Sequence, residues 1–191
     1  NTFKMAPLGI YFGDGTNKKV ADPFFGGVGP DRNGCTQCGA CMTGCRFNAK
    51  NTLPKNYLGL AEGAGAKVFP LHTVTQIEEQ PDKSWVVTTR KSTSWFGATK
   101  KFTAQQVVVA AGTYNTQKLL HTMKNNGTLP KISDALGKLS RTNSEALTGA
   151  LLKKTEVDYT KGSAITSSFF PDDHTHVEPV RYGKGSNLMG L

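Results

Sequence analysis

In this 191-residue chain the stretch Gln106-Val107-Val108-Val109-Ala110-Ala111-Gly112 restricts the fold more than any other. A nearly continuous apolar run that ends in small residues and Gly reads as a strand buried on both faces of a parallel sheet. It leads into Asn115–Met123, a helical stretch that Asn115 can cap. A strand that loses its bulk and then opens a helix makes a place for an anion or cofactor. Backbone without side chains admits a close ligand, and the helix N-terminus adds free N–H groups and the positive end of a dipole. A plain buried strand turning into a helix has the same local pattern, so the unit is weak evidence by itself. The sequence contains no G-x-G-x-x-G. A dinucleotide-binding fold would therefore draw its phosphate loop from chain upstream of residue 1. The absence of an initiator Met and the uncapped end at Asn187–Leu191 agree with both ends being cuts.

The second constraint is Cys35, Cys38, Cys41 and Cys45, a C-x2-C-x2-C-x3-C run inside eleven residues. The spacing matches the bacterial ferredoxin run, so all four are candidate ligands of an iron–sulfur cluster. Two features oppose this. The Pro that follows that run is replaced by Arg46, and no second cysteine set exists. Zinc would usually draw on two separated pairs, and disulfides at these spacings are sterically awkward. A tightly packed loop of Cys and Gly without metal is the plain alternative. Closely spaced free thiols favour a reducing, cytoplasmic setting.

Around these features the chain reads as a mixture of helix and strand. Residues 1–34, rich in Gly, Pro and Asp, predict a long ordered loop. Residues 52–63 predict a helix capped by Thr52, with Pro54 in its first turn and Gly63 and Gly65 at its end. Short strands follow at 67–71, 72–78, 84–90 and 101–104, the signature of an antiparallel meander. The pattern changes again near residue 155.

Lys and Arg number 23 against 14 Asp and Glu, a net charge of +9, but the basic residues are scattered as doublets such as Lys18-Lys19 and Lys100-Lys101. No nucleic-acid module accompanies them, so a nucleic-acid partner is not expected. No apolar run approaches the length of a membrane-spanning helix. The 17 aromatic residues (10 Phe, 5 Tyr, 2 Trp) exclude simple disorder.

Several segments together resemble one family. Gly34-Cys35-Thr36-Gln37-Cys38-Gly39-Ala40-Cys41-Met42-Thr43-Gly44-Cys45-Arg46, followed by Ala49–Leu53 and Lys55–Leu58, is similar to a segment of the flavin-dependent glucose–methanol–choline oxidoreductases, in their steroid-oxidising bacterial branch. Val107–Thr113, with Thr116-Gln117 and Leu119-Leu120, resembles that family's second flavin-contacting strand and turn. Gly127–Pro130, Arg141–Glu145 and His174–Gly183 are similar to its sequence too.

The resemblance spans an interior part of the family's length and implies an α/β fold. Residues 1–154 would belong to a Rossmann-like FAD-binding domain, with the Cys-rich loop at 34–46 and the antiparallel meander. Residues 155–191 would begin an α+β substrate-binding domain built on a β-sheet. Val74 would lie on the strand facing the adenine of FAD. Ala110, Ala111, Gly112 and Thr113 would bring backbone to the cofactor, and Asn56 and Tyr57 would sit on a helix below the flavin domain. Glu178 resembles the carboxylate that steroid oxidases use to move a proton during double-bond migration; a surface carboxylate paired with Arg181 is the plainer reading. His174 and His176 read as polar-face packing. The implied chemistry is hydride transfer from a secondary alcohol, a sterol, to flavin N5, with electrons passing to oxygen or a redox partner. An iron–sulfur electron-transfer module built on the four cysteines is the alternative, although the strand–helix region has no place in a small ferredoxin.

Overall fold

The structure, a computed structural model, describes residues 2–149 and 156–186. The chain forms two compact units: Asn1–Lys67 together with Gly149–Leu191, and Val68–Thr148. The expected division at 154/155 lies outside the described residues. In chain order the elements are β1 (Lys4–Met5), β2 (Lys19–Val20), β3 (Arg32–Asn33), a 3-10 turn at Leu53–Lys55, α1 (Tyr57–Gly63), β4 (His72–Glu79), β5 (Trp85–Lys91), β6 (Thr99–Ala104), α2 (Gly112–Asn125), β7 (Ser167–Asp172) and β8 (Thr175–Val177). Every sheet among the described residues is antiparallel.

In the first unit β1 pairs with β7, which pairs with β8, and this joins the two ends of the described chain. The predicted loop at 1–34 is indeed mostly irregular, but it is well tied. The carboxylate of Asp22 accepts N–H groups from Phe24 (2.9 Å), Phe25 (2.8 Å), Gly27 (3.2 Å) and Gly29 (2.9 Å) and so closes a tight turn. Burial works against the ionised carboxyl, yet the four N–H donors prevail and hold it below the ordinary carboxylate value. The centre of this unit is polar as well as apolar. Arg32 is fully buried, donating to the carbonyls of Pro30 (3.0 Å) and Lys55 and to Asn51 Oδ1 (2.9 Å), with Phe24 facing its guanidinium at 5.6 Å. The predicted helix at 52–63 splits at Asn56. Thr52 makes no side-chain cap, and Asn56 caps α1 instead by accepting the N–H of Tyr57.

In the second unit β4, β5 and β6 form the expected meander in that order. The register of β4 on β5 slips between Val74 and Gln76, leaving Thr75 as a bulge. The predicted strand at 67–71 is absent, because Leu71 turns into the left-handed region at φ 57 and only His72 begins the ladder. The larger difference lies at 106–111. This run forms no regular element and pairs with no described strand, and Val108 is 88% exposed. Its apolar pattern asks for a neighbour on each face. Here packing is offered on one side only, where Val107 and Val109 are half-buried. The observed fold class is thus mixed helix and strand with antiparallel sheets. Met123, on α2, is completely buried and Ile77, on β4, is 4% exposed; both belong to the apolar core.

Candidate functional site

A cleft of about 760 Å³ opens in the second unit. It is lined by His72, Thr73, Val74, Thr75 and Ile77 of β4, Val87 of β5, the run Val107–Ala111, and Asn115, Lys118, Leu119 and Thr122 of α2. The last four follow the i, i+3, i+4, i+7 spacing of a single helix face. The sequence reading missed them as site residues, although that stripe was present in the sequence. Val and Leu side chains make the apolar walls, and Thr73, Thr75, Asn115, Lys118 and Thr122 supply polar groups. That proportion suits a ligand with a flat apolar ring and a polar or anionic extension.

The start of α2 is shaped by its sequence. Gly112 sits at φ 76, a conformation that side chains other than Gly rarely adopt. A Cβ there would meet no atom within 4 Å, so conformation rather than crowding requires the glycine, and the space beside it is open. The helix begins three residues before the predicted cap Asn115. The half-in position is Ala111, whose N–H donates to Thr116 Oγ1 at 3.0 Å. No acidic residue occupies the first turn, so the positive end of the helix dipole is not neutralised from within α2. The lining and the helix end together fit part of a dinucleotide: aliphatic walls for a ring, and N–H groups with Lys118 for phosphate oxygens.

Of the residues anticipated as cofactor contacts, Val74, Ala110 and Ala111 line this cleft together. Gly112 and Thr113 form the first turn of α2 beside it. Glu178 belongs to the other unit, just past β8. Its Oε1 lies 3.4 Å from His176 Nε2, so His176, not Arg181, is its ionic neighbour. Arg181 instead donates to the carbonyl of Lys161 (2.8 Å) and to Thr166 Oγ1 (3.3 Å). His176 stacks on Phe170 with ring centroids 4.4 Å apart and planes at 5°.

The four cysteines come together. All four line one small void of about 10 Å³ with Ile10, Thr36, Ala40, Phe47, Ala49 and Lys50. That is room for about one water. Cys35 Sγ accepts the N–H of Gln37 at 3.3 Å, and Cys45 Sγ accepts that of Lys50 at 3.4 Å. Among the described residues no group of three or more His, Cys, Asp or Glu side chains is placed to hold a metal ion. The metal expectation for Cys35, Cys38, Cys41 and Cys45 gains no support here: all four are free thiols. Burial pushes the Cys35 thiol up. Burial also opposes the Cys45 thiolate, but the N–H groups of Lys50, Ala49 and Phe47, with the charge of Lys55, bring its pKa down. Gly39 explains why the turn is so tight. A Cβ there would lie 2.2 Å from the carbonyl oxygen of Thr160, and Gly183 packs against the same spot.

The sequence profile of the GMC oxidoreductases matches residues 26–126. A cholesterol oxidase of Mycobacterium tuberculosis, in strains CDC 1551 / Oshkosh and ATCC 25618 / H37Rv alike, is 54% identical over 198 residues, covering 100% of this chain and 34% of the relative. A cholesterol oxidase of Acinetobacter baumannii is 43% identical over 200 residues, covering 100% of this chain and 36% of the relative. The chain thus spans about a third of the length of the curated relatives it matches.

Proposed function

The chain belongs to the GMC oxidoreductase family, and from that premise we propose that it forms part of an FAD-dependent oxidoreductase acting on the CH–OH group of a sterol. The observation that carries this reading is the cleft between β4, the 107–111 run and α2, whose aliphatic walls and positive helix end suit a dinucleotide. Under it, residues 1–154 contribute to a Rossmann-like FAD-binding domain and residues 155–191 begin the substrate-binding domain.

Each residue then has a task. Val74 offers its strand to the adenine ring, and Val87, Val109 and Leu119 exclude water from the same space. Ala110 and Ala111 keep the wall low, while Gly112 and Thr113 start α2 so that its N–H groups meet the phosphates. Lys118 adds a positive charge one turn further along the helix. When bound, FAD supplies the hydride acceptor for the carbinol carbon of the alcohol. Glu178 is the proposed base that moves a proton when the product's double bond migrates. His176 Nε2, at 3.4 Å from its Oε1, is its neighbour. The electrons pass on to oxygen or to a redox partner.

The test uses the full-length protein. It is expected to be purified yellow and to release hydrogen peroxide when given a sterol alcohol. A colourless protein that cannot be loaded with FAD overturns the cofactor assignment. A yellow protein that oxidises simple alcohols but not sterols overturns the substrate assignment alone. For Glu178, the Glu178→Gln variant is expected to oxidise the alcohol while accumulating the product whose double bond has not moved, seen by chromatography.

A further inference from the structure

Cys35 and Cys45 stand at the two ends of the cysteine run, ten residues apart, and both line the same void of about 10 Å³. Groups that line a space of about one water's size face each other at close range. Tyr11 draws the two ends together. Its carbonyl accepts the N–H of Cys35 at 3.0 Å, and its own N–H donates to the carbonyl of Ala49 at 2.9 Å, a few residues after Cys45. Ile10 and Lys50 form a bridge alongside. Each end sulfur accepts a backbone N–H, from Gln37 on Cys35 and from Lys50 on Cys45, which fixes where it sits.

The middle of the run is pinned from outside. Gly162 donates its N–H to the carbonyl of Gln37 at 2.7 Å. A Cβ on Gly39 would lie 2.2 Å from the carbonyl oxygen of Thr160, and one on Gly183 would lie 2.6 Å from that of Cys38. Drawing Cys38 onto Cys41 would move backbone that has no room, and so short a ring is sterically awkward in any case. A bond between Cys35 and Cys45 closes across the void and leaves the middle in place. Thr36 lines the void as well, and its buried Oγ1 has no hydrogen-bond partner among the described residues. A buried hydroxyl in that state gains from any polar atom that comes within reach, such as an oxygen carried on sulfur.

We propose that Cys35 and Cys45 are a modification site, a dithiol that hydrogen peroxide converts to a disulfide. The deprotonated sulfur of Cys45 attacks one peroxide oxygen. The S–O bond forms, the O–O bond breaks, and the departing hydroxide leaves as water with the thiol's proton. The sulfur of Cys35 then attacks that of Cys45. The S–S bond forms, the S–O bond breaks, and the hydroxyl leaves as water with the Cys35 proton. Two electrons pass from the sulfurs to the peroxide. None of the four cysteines lines the cleft, so the site is independent of the function proposed above.

Full-length protein is treated with a small excess of hydrogen peroxide and its free thiols are blocked with iodoacetamide in urea. It is then reduced, and the newly freed thiols are labelled with N-ethylmaleimide. Trypsin releases Asn33–Arg46, which carries all four cysteines, for mass spectrometry. Maleimide is expected on Cys35 and Cys45 and iodoacetamide on Cys38 and Cys41, with iodoacetamide on all four when peroxide is left out. Cys35→Ser and Cys45→Ser are each expected to lose the maleimide label on the remaining partner, and Cys38→Ser/Cys41→Ser to keep both labels. Maleimide on Cys38 or Cys41 of the wild type, or on none of the four, overturns the proposal. So does a stoichiometric metal in the purified protein that Cys45→Ser loses, which assigns the thiols to that metal. Should a serine variant fail to fold, the labelling pattern of the wild type decides.

Discussion

Between Cys35 and Cys45 the backbone folds back until Gly39 nearly touches Thr160, and the four thiols share a void of about 10 Å³. Between β4 and α2 the backbone stays apart, and the gap of about 760 Å³ is walled by Val, Leu and Ala. The first region gathers the residues with the richest chemistry in the sequence around a void of about one water's size. The second is chemically bland and leaves the room. A ligand site therefore depends on what the backbone fails to fill as much as on which side chains are present. In the cysteine turn N–H groups are turned inward onto sulfur, whereas at the start of α2 the space beside Gly112 is open.

Filling the cleft should separate the two regions most sharply. Ala110→Trp in the full-length protein is expected to abolish retained flavin, read as loss of visible absorbance after gel filtration, while circular dichroism stays unchanged. Retained flavin in that variant would move the cofactor away from the cleft. A smaller but still large effect should follow from the first unit, where stability rests on a buried cation. Arg32→Met leaves the acceptors at Pro30, Lys55 and Asn51 without their donor and is expected to cost about 3 kcal/mol in urea unfolding.

The turn at Asp22 should show up in acid. Its carboxyl is depressed in the folded state, so its stabilisation is complete above the ordinary value of 3.8 and is lost as pH falls through the lower folded value. The thermal midpoint of Asp22→Ala is therefore expected to fall less than that of the wild type as the solution is acidified through that range. A parallel fall in both proteins would remove Asp22 from the account. The smallest effect belongs to the exposed thiol. Cys38→Ser is expected to change stability by no more than about 0.5 kcal/mol and to leave flavin content untouched, measured by unfolding and by absorbance. Loss of flavin in this variant would show that the cysteine turn and the cofactor depend on each other after all.

Much of this arrangement could be read from residue order. The meander at 72–104 follows from alternating apolar positions broken by Gln80–Lys83 and by Ser92–Gly97, and α2 follows from its helical spacing. The pairing of Val74 with Ala110 and Ala111 at a cofactor site came from the family resemblance, and these three residues do share the cleft. Other features were not legible. Local pattern could not show that Asn56 rather than Thr52 would cap α1, since both are good capping residues and the choice depends on where Pro54 ends its own turn. Nor did it show which of His176 and Arg181 would be the neighbour of Glu178.

The sequence by itself determined the local conformations: the glycine at 112 that lets α2 begin where it does, the carboxylate at 22 that ties its turn, and the hairpin that carries Trp95 and Phe96. These depend on contacts a few residues apart, which residue order specifies directly. Tertiary structure alone decided how much space surrounds each group. The C-x2-C-x2-C-x3-C spacing gives no sign that Thr160 and Gly183 close against the turn at Gly39, and the apolar run at 107–109 gives no sign of which described segments it shares a cleft with. Volume and exposure are set by segments far apart in the chain, and no local spacing carries that information.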